Sequence, residues 1–179
     1  TYDARANTLS RTNALGETVR GEYAAALAGG TLLNKPTKEI RQATAEAPAG
    51  WENRYTYDGA GNLLTHKDGP VGGVDFGTLA THVYDARGLV TSSTDANGNE
   101  ARFAYDATTG FLAARTIAFG TPQAAIWNFT RSELGWLLSE TNPLTHRTTT
   151  DYNVNGQPIR VTDPIRTLTK EYNANGSVT

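Results

Sequence analysis

Four aspartates, each preceded by a tyrosine, are the residues of this chain whose repetition could carry chemistry. They are Asp3, Asp58, Asp85 and Asp106. Carboxylates brought together can act as general acids and bases or bind a cation. All four hold the same place in a recurring pattern, so the sequence favours a structural role in which each carboxylate caps its own turn. On this interpretation the chain has no catalytic residue and is not an enzyme.

A calcium-binding loop is the second candidate. The stretch DANGNE places Asp95, Asn97 and Asn99 at alternating positions, as at the start of a calcium loop. A full loop would need a glutamate near its twelfth position, which is Asp106, and flanking helices where this sequence predicts strands. The histidines lack the short spacings of metal pairs; they are His66, His82 and His146. We therefore expect no metal site and no cofactor.

The tryptophans could line a surface that binds carbohydrate or peptide, because aromatic faces contact such ligands well. They are Trp51, Trp127 and Trp136. Aromatic residues recur at repeat positions in this chain, which favours packing. An adhesion or ligand-binding module, for carbohydrate or protein, stays open as the alternative function.

Composition and charge limit the classes of function and partner that remain. The 16 basic and 18 acidic residues give a formal net charge of -2 without long like-charged runs, which argues against a nucleic-acid partner. No apolar run approaches the ~20 residues of a membrane span. The chain has no cysteine for disulfides and no methionine, even at its first position. We expect a fragment of a larger polypeptide whose export signals lie elsewhere.

An internal repeat organises the whole chain. The tetrapeptide Tyr-Asp-Ala-Arg occurs at residues 2–5 and again at 84–87, and in both copies another tyrosine follows 21 residues after the first. A glycine usually stands four residues after each repeat tyrosine, or five in the stretch YDATTG. The repeat signature comprises Tyr2, Asp3, Tyr57, Asp58, Gly61, Tyr84, Asp85, Gly88, Tyr105, Asp106, Gly110, Tyr152, Gly156, Tyr172 and Gly176.

Each repeat predicts turns and strands. Asp or Asn followed by Gly marks tight turns, and Thr-rich, Val-rich and aromatic segments between them predict strands. We therefore predict an all-β fold of tandem antiparallel hairpins that form a curved sheet. Tyr57 with Tyr55, and Tyr105 with Phe103, share a face and predict stacked aromatic rows.

Some stretches depart from the pattern. Residues 34–50 predict a surface excursion with helical turns, and residues 69–77 a flexible hairpin loop. Ala6 replaces a turn glycine, and Thr145 and Arg166 stand near where one is expected, so the geometry of these turns is open.

These residues resemble a known family. NRYTYDGAGNLL from Asn53 and VTDP from Val161 are similar to the YD repeats of the Rhs family, which toxin-complex shell proteins and animal teneurins share. The resemblance implies that residues 1–179 form one repeat segment, part of a β-shell. It also implies a bacterial protein, secreted or on the cell surface, whose shell encloses or displays a toxic part of the same polypeptide. The implied partners are the rest of that polypeptide and, through exposed strand edges, other copies.

Overall fold

The chain consists of antiparallel hairpins in two compact units. The computed structural model describes residues 1–24, 34–44 and 49–179, and the units are Thr1–Asn99 and Glu100–Thr179. None of these described residues is helical. In particular, no helix there is long and apolar enough to cross a membrane. The all-β fold of tandem hairpins is therefore confirmed.

In each unit, consecutive strands pair with one another. The first unit contains β1 Ser10–Thr12, β2 Thr18–Tyr23, β3 Pro36–Arg41, β4 Trp51–Tyr57, β5 Leu63–Pro70, β6 Gly77–Tyr84 and β7 Val90–Asp95. The second contains β8 Glu100–Tyr105, β9 Leu112–Ile117, β10 Ala125–Arg131, β11 Leu137–Thr141, β12 Arg147–Tyr152, β13 Pro158–Thr162 and β14 Thr167–Thr169.

Each unit is a single layer of strands, because the described strands pair in chain order with their neighbours. Accordingly, none of the described large side chains is fully buried. Side chains alternate between two faces of such a sheet. One face, which we call the aromatic face, carries the repeat tyrosines. The other, the hydroxyl face, carries hydroxyl pairs across neighbouring strands: Thr12 with Thr18, Thr56 with Thr65, Thr130 with Ser139 and Thr162 with Thr167.

The strands have two kinds of ends. At the tyrosine end, β2, β4, β6, β8 and β12 each finish on a repeat tyrosine. At the threonine end, β1, β11 and β13 finish on threonine. Tyr-Asp turns therefore lie at one end of each unit, and Thr-Asx turns lie at the other.

A β-bulge lies beside the repeat tyrosines. In the pairing of β6 with β7, Val83 is opposite Ser92 but Tyr84 is opposite Val90, so Thr91 is the extra residue. The same shift occurs at Tyr23, Tyr57, Tyr105 and Tyr152, and at Arg131 in the degenerate copy. Such bulges bend a strand and increase its local twist.

Two of the predicted interruptions differ in the structure. Residues 34–50 include β3, which pairs with both β2 and β4, so the helical prediction is wrong for Pro36–Arg41. Hydrogen bonding on both sides outweighs the helix propensity of Lys38, Glu39 and Arg41. Residues 45–48 lie outside the described residues. The loop at 69–77 is shorter than predicted, since β5 continues to Pro70 and β6 begins at Gly77.

Turns that lack glycine solve the same geometric problem in two ways. Ala6 and Thr145 adopt the left-handed conformation of the glycine they replace, with φ of 61° and 64°. The turn at Asp163 is one residue shorter, because the Asp163 N–H donates to the Arg166 carbonyl. Arg166 does not adopt the left-handed conformation. The first two positions therefore carry backbone strain.

Replacing Ala6 with glycine should stabilise the chain. The left-handed conformation costs an L-residue roughly 1–2 kcal/mol, while glycine's extra freedom in the unfolded state returns part of this. We expect Ala6→Gly to raise the free energy of unfolding by about 0.5–1 kcal/mol in urea titrations. Ala14→Gly is the matched control, an exposed turn alanine without positive φ, and should not stabilise. Equal effects of both variants would contradict the strain.

Candidate functional site: the tyrosine and aspartate of each turn

One side-chain oxygen caps each regular turn. Asp58 Oδ1 accepts hydrogen bonds from the N–H groups of Ala60, at 2.9 Å, and Asn62, at 2.8 Å. The Asp58 N–H donates to the Asn62 carbonyl, and the Gly61 N–H donates to the Asp58 carbonyl. Gly61 has a φ of 87°. This is a three-residue hairpin loop whose last residue is left-handed.

The same construction recurs with either Asp or Asn as the cap. It is found at Asp3, Asn13, Asp85, Asp95, Asn142, Asn153 and Asn173. Asp106 caps a turn that is one residue longer, closed from Gly110 N–H to the Asp106 carbonyl. The signature glycines all have positive φ: Gly61, Gly88, Gly110, Gly156 and Gly176. The four tyrosine-linked aspartates thus act locally and do not converge on one site.

The second side-chain atom of the cap selects its partner. Asp58 Oδ2 accepts from Asn62 Nδ2 at 2.9 Å. Where the cap is Asn153, its Nδ2 donates to Gln157 Oε1 at 2.7 Å. The acidic caps Asp3 and Asp95 also pair with an asparagine four residues on, and the amide cap Asn13 pairs with Glu17. Asp85 departs from this, because Leu89 stands four residues after it and the second oxygen of Asp85 pairs with Arg87. Sequence reasoning missed this covariation, although the residue four positions after the cap displays it.

Hydrogen bonds to the charged form lower the pKa of several turn aspartates. For Asp58 the largest cause is the Asn62 side chain, and for Asp85 it is the Leu89 backbone N–H. The pKa values of Asp3, Asp95 and Asp163 are also lowered. These carboxylates therefore stabilise the folded state most when they are ionised.

Five tyrosines connect a hairpin to the preceding one. Tyr84, at the end of β6, donates its hydroxyl hydrogen to the Leu63 carbonyl at the start of β5, at 2.9 Å. Tyr57, Tyr152 and Tyr172 bond in the same way to the first residues of β3, β11 and β13, and Tyr23 bonds to Thr8. Because Tyr84 also pairs with β7 at the bulge, it holds three strands together. Burial raises the pKa of Tyr57 and Tyr84.

Aromatic rings cover some turn glycines at the tyrosine end. A Cβ atom on Gly156 would lie 2.9 Å from Trp136, and one on Gly135 would lie 2.9 Å from Phe111. Trp136 also packs against Tyr152, with ring centroids 5.4 Å apart. Neighbouring turns therefore pack on one another, and glycine is required there by space as well as by φ.

The predicted aromatic rows form with mixed partners. Tyr55 stacks on His66, with ring centroids 4.7 Å apart, and donates its hydroxyl hydrogen to Glu39. Desolvation, followed by Glu39, raises the pKa of Tyr55 to about 12. The Arg115 guanidinium lies 4.5 Å from the Trp127 ring centroid. Histidine and arginine thus stand where aromatic partners were expected.

Two arginines on the hydroxyl face form an arrangement that was not predicted: each pairs with a glutamate and lies against a phenylalanine ring. Arg54 forms an ion pair with the buried Glu52 and lies 3.7 Å from the Phe76 ring centroid. Arg102 pairs with Glu100 and lies 3.4 Å from the Phe119 ring centroid. In both cases Glu-x-Arg precedes a repeat tyrosine, and the phenylalanine belongs to a loop at the threonine end. The Glu-x-Arg spacing is a signal that the sequence contains, but the phenylalanine that each arginine contacts follows only from the folded chain.

Candidate ligand groups lie apart. His66 Nε2 bonds to Asn53 Oδ1 at 2.9 Å, and His82 is on β6 with its ring centroid 6.4 Å from that of Tyr84. Within residues 1–24, 34–44 and 49–179, no group of three or more His, Asp or Glu could hold a metal ion. Trp51 is the exposed tryptophan, at 40%, and its Nε1–H donates to Asp68.

Comparisons with known proteins agree with this architecture. Residues 84–122 match the family model described as RHS Repeat. No curated protein matches the sequence. A crystal structure of TcdB2-TccC3 is similar over 98% of this chain, with TM-score 0.57 and 19% identity. A TcdB2-TccC3-Cdc42 crystal structure matches over 97%, with TM-score 0.57 and 17% identity.

A structure of the Photorhabdus luminescens Tc holotoxin pore matches over 98% of this chain, with TM-score 0.53 and 19% identity. This chain covers only 11% of each of those three chains. At these identities the similarity establishes the fold, which is the β-sheet fold of the TcdB2-TccC3 proteins.

Removal of one tyrosine hydroxyl should show how much its hydrogen bond between hairpins contributes to the free energy of unfolding. Tyr84→Phe leaves the ring and deletes the bond to Leu63, so we expect the free energy of unfolding to fall by about 1 kcal/mol. Tyr2→Phe is the control, because Tyr2 is 70% exposed; its stability should not change. Urea titration of both variants gives the comparison, and an unchanged Tyr84→Phe would refute the role.

The acidic caps should make the fold acid-sensitive. The folded pKa of Asp58 lies below its unfolded value, so its contribution is complete above about pH 4 and is lost as the pH falls through the folded pKa. We expect Asp58→Asn to retain the turn and to show a smaller decrease of melting temperature on acidification. The reciprocal Asn153→Asp should show a larger decrease. Identical acid profiles for all three proteins would exclude this origin.

Proposed function

We propose a function from the premise that this is an Rhs/YD-repeat chain, with its RHS repeat at residues 84–122. The chain is a structural segment of a β-sheet shell, and its role is mechanical and not catalytic. The shell encloses or displays a toxic part of a larger, secreted bacterial polypeptide. The remainder of that polypeptide is its principal partner.

The single-layer architecture carries this proposal. None of the large side chains in the described residues is fully buried, so the described parts of each unit do not form the enclosed core of an ordinary globular domain. Each unit instead has two accessible faces of different chemistry, aromatic and hydroxyl. A layer with two distinct faces suits a wall that separates an interior from an exterior.

Strand pairing supplies the barrier. Neighbouring strands lie about 4.8 Å apart, which leaves no opening for a protease or another folded protein. The hydroxyls of Tyr23, Tyr57, Tyr84, Tyr152 and Tyr172 add bonds from a hairpin to the preceding one, so the layer can extend without a second sheet behind it. Similarity to the TcdB2-TccC3 fold supports the same interpretation.

Cysteine labelling can test whether the segment forms a wall. The sequence contains no cysteine, and β14 offers two adjacent exposed residues on opposite faces, Leu168 and Thr169. Leu168→Cys and Thr169→Cys would be introduced singly into the full-length polypeptide, with any other cysteines replaced, and treated with a bulky maleimide. We expect one position to react and its neighbour to be protected.

The isolated 179-residue chain is the control, where both cysteines should react at similar rates. Equal labelling within the full-length polypeptide would overturn the wall. Electron microscopy of the same sample should show a hollow particle, and a solid or extended particle would point to display instead of enclosure.

The alternative, a binding module, is favoured by one observation. Trp51 presents a large exposed ring on the aromatic face, fixed by its 3.0 Å bond to Asp68. A fixed aromatic ring beside a carboxylate is suited to a sugar or peptide. Glycan and peptide arrays should then show binding that Trp51→Ala abolishes and Trp127→Ala retains, since Arg115 covers Trp127. Blank arrays would eliminate this alternative.

A further inference from the structure

Three arginines of the described residues lie against aromatic rings, and one of them lacks an acidic partner. Arg54 and Arg102 each stack on a phenylalanine and pair with a glutamate two residues earlier in the chain. Arg115 has its Cζ 4.5 Å from the Trp127 ring centroid, and the residue two positions before it is Ala113. The stacking contact therefore recurs at Arg115 without the carboxylate that accompanies it elsewhere.

No other group takes the place of that carboxylate in the part of the chain that the structure describes. Arg115 forms no ion pair or hydrogen bond with another described residue, and its side chain is exposed. Phe103 on β8 and Trp127 on β10 are its direct neighbours across the strands. A guanidinium has five N–H donors in one plane. Here the donors are open to solvent, while the tryptophan ring holds the group in place.

The surface around Arg115 is largely apolar. Side chains two residues apart on a strand share a face, so the aromatic face also carries the residues two positions along these strands. These neighbours include Ala101, Tyr105, Ile117, Ala125 and Phe129. Ile117 is 43% exposed. An ion pair that forms among such groups is less screened than one between fully solvated side chains.

We propose that Arg115 binds a carboxylate, and that the ligand is a peptide in which an aspartate or glutamate is flanked by aliphatic residues. One guanidinium balances one negative charge, whereas a phosphate dianion would need a second cation, which these neighbours do not provide. A sugar acid would place its hydroxyl groups against apolar side chains, which costs free energy. The aliphatic residues of a peptide would instead contact Ile117. The site is independent of the proposed wall, since it needs only this face of the second unit.

Trp127 has a positioning role in this site. Its ring holds the guanidinium before the ligand arrives, so less side-chain entropy is lost on binding. Arginine is suited to the role because its planar group can stack on a ring and still offer two parallel N–H donors to a carboxylate. Lysine could supply the charge but not this geometry.

Isothermal titration of the 179-residue chain at low ionic strength tests the proposal. The probe is a hexapeptide of alternating leucine and aspartate, blocked at both ends. We expect weak binding, with a Kd of roughly 0.1–1 mM, that weakens further as sodium chloride is added. The same peptide with asparagine in place of aspartate, and glucuronate as a sugar acid, should each bind about tenfold more weakly or less.

Substitutions on β9 separate pairing of charge from apolar contact. Arg115→Gln should weaken binding of the acidic peptide by about tenfold or more. Ile117→Glu should do the same, because it gives Arg115 a carboxylate of its own on the same face. Ile117→Gln, which has the same size without the charge, should retain most of the binding. Trp127→Leu should weaken binding several-fold, since the charge remains but is no longer held.

Two controls show whether the effect belongs to this site. Arg102→Gln removes an arginine that is also stacked but already paired with Glu100, and Trp51→Ala removes the exposed ring of the alternative function. Both should bind the acidic peptide like wild type, and circular dichroism confirms that each variant is folded. A wild-type chain that does not bind the peptide, an unaffected Arg115→Gln, or equal losses in Ile117→Glu and Ile117→Gln would overturn the proposal. Tighter binding of glucuronate than of the peptide would replace it with a sugar-acid site.

Discussion

One oxygen atom, the Oδ1 of an aspartate or asparagine, closes the turns on which this sheet depends. In the turn at Asp58 it accepts two backbone N–H groups, and Gly61 completes the loop in a left-handed conformation. A layer without an enclosed core cannot rely on buried apolar area to set its register. The turns therefore carry that task, and the cap fixes each one locally.

The tyrosine before the cap adds the connection that a local turn cannot provide. Its hydroxyl reaches the start of the preceding strand while its backbone lies beside the bulge, as at Tyr84. The dipeptide Tyr-Asp therefore closes one hairpin and joins it to the previous one. Repetition of this unit extends a single layer in one direction, which is the geometry that the proposed wall requires.

The two ends of the strands are chemically different, because the Tyr-Asp dipeptide occurs at only one of them. At the tyrosine end, Trp136 and Phe111 pack on glycines of neighbouring turns, so neighbouring turns contact one another there. At the threonine end, Leu144 and Ile165 project without such a cover. Aliphatic turn tips are nevertheless exposed at both ends, since Val154 and Leu134 project at the tyrosine end.

The sequence by itself determined the turns, because an Asx cap and a glycine act over five consecutive residues. It located the extra residue before Gly110 and marked Ala6, Thr145 and Arg166 as departures from the turn glycine, but it did not show that the turn before Arg166 is one residue shorter. Tertiary structure decided what depends on pairing between distant residues. Strand register decides the pairing of Pro36–Arg41 and the bulge at Tyr84. It also decides which carbonyl Tyr84 bonds and which ring lies over Arg54. Register is a property of neighbouring strands together, and no single repeat contains it.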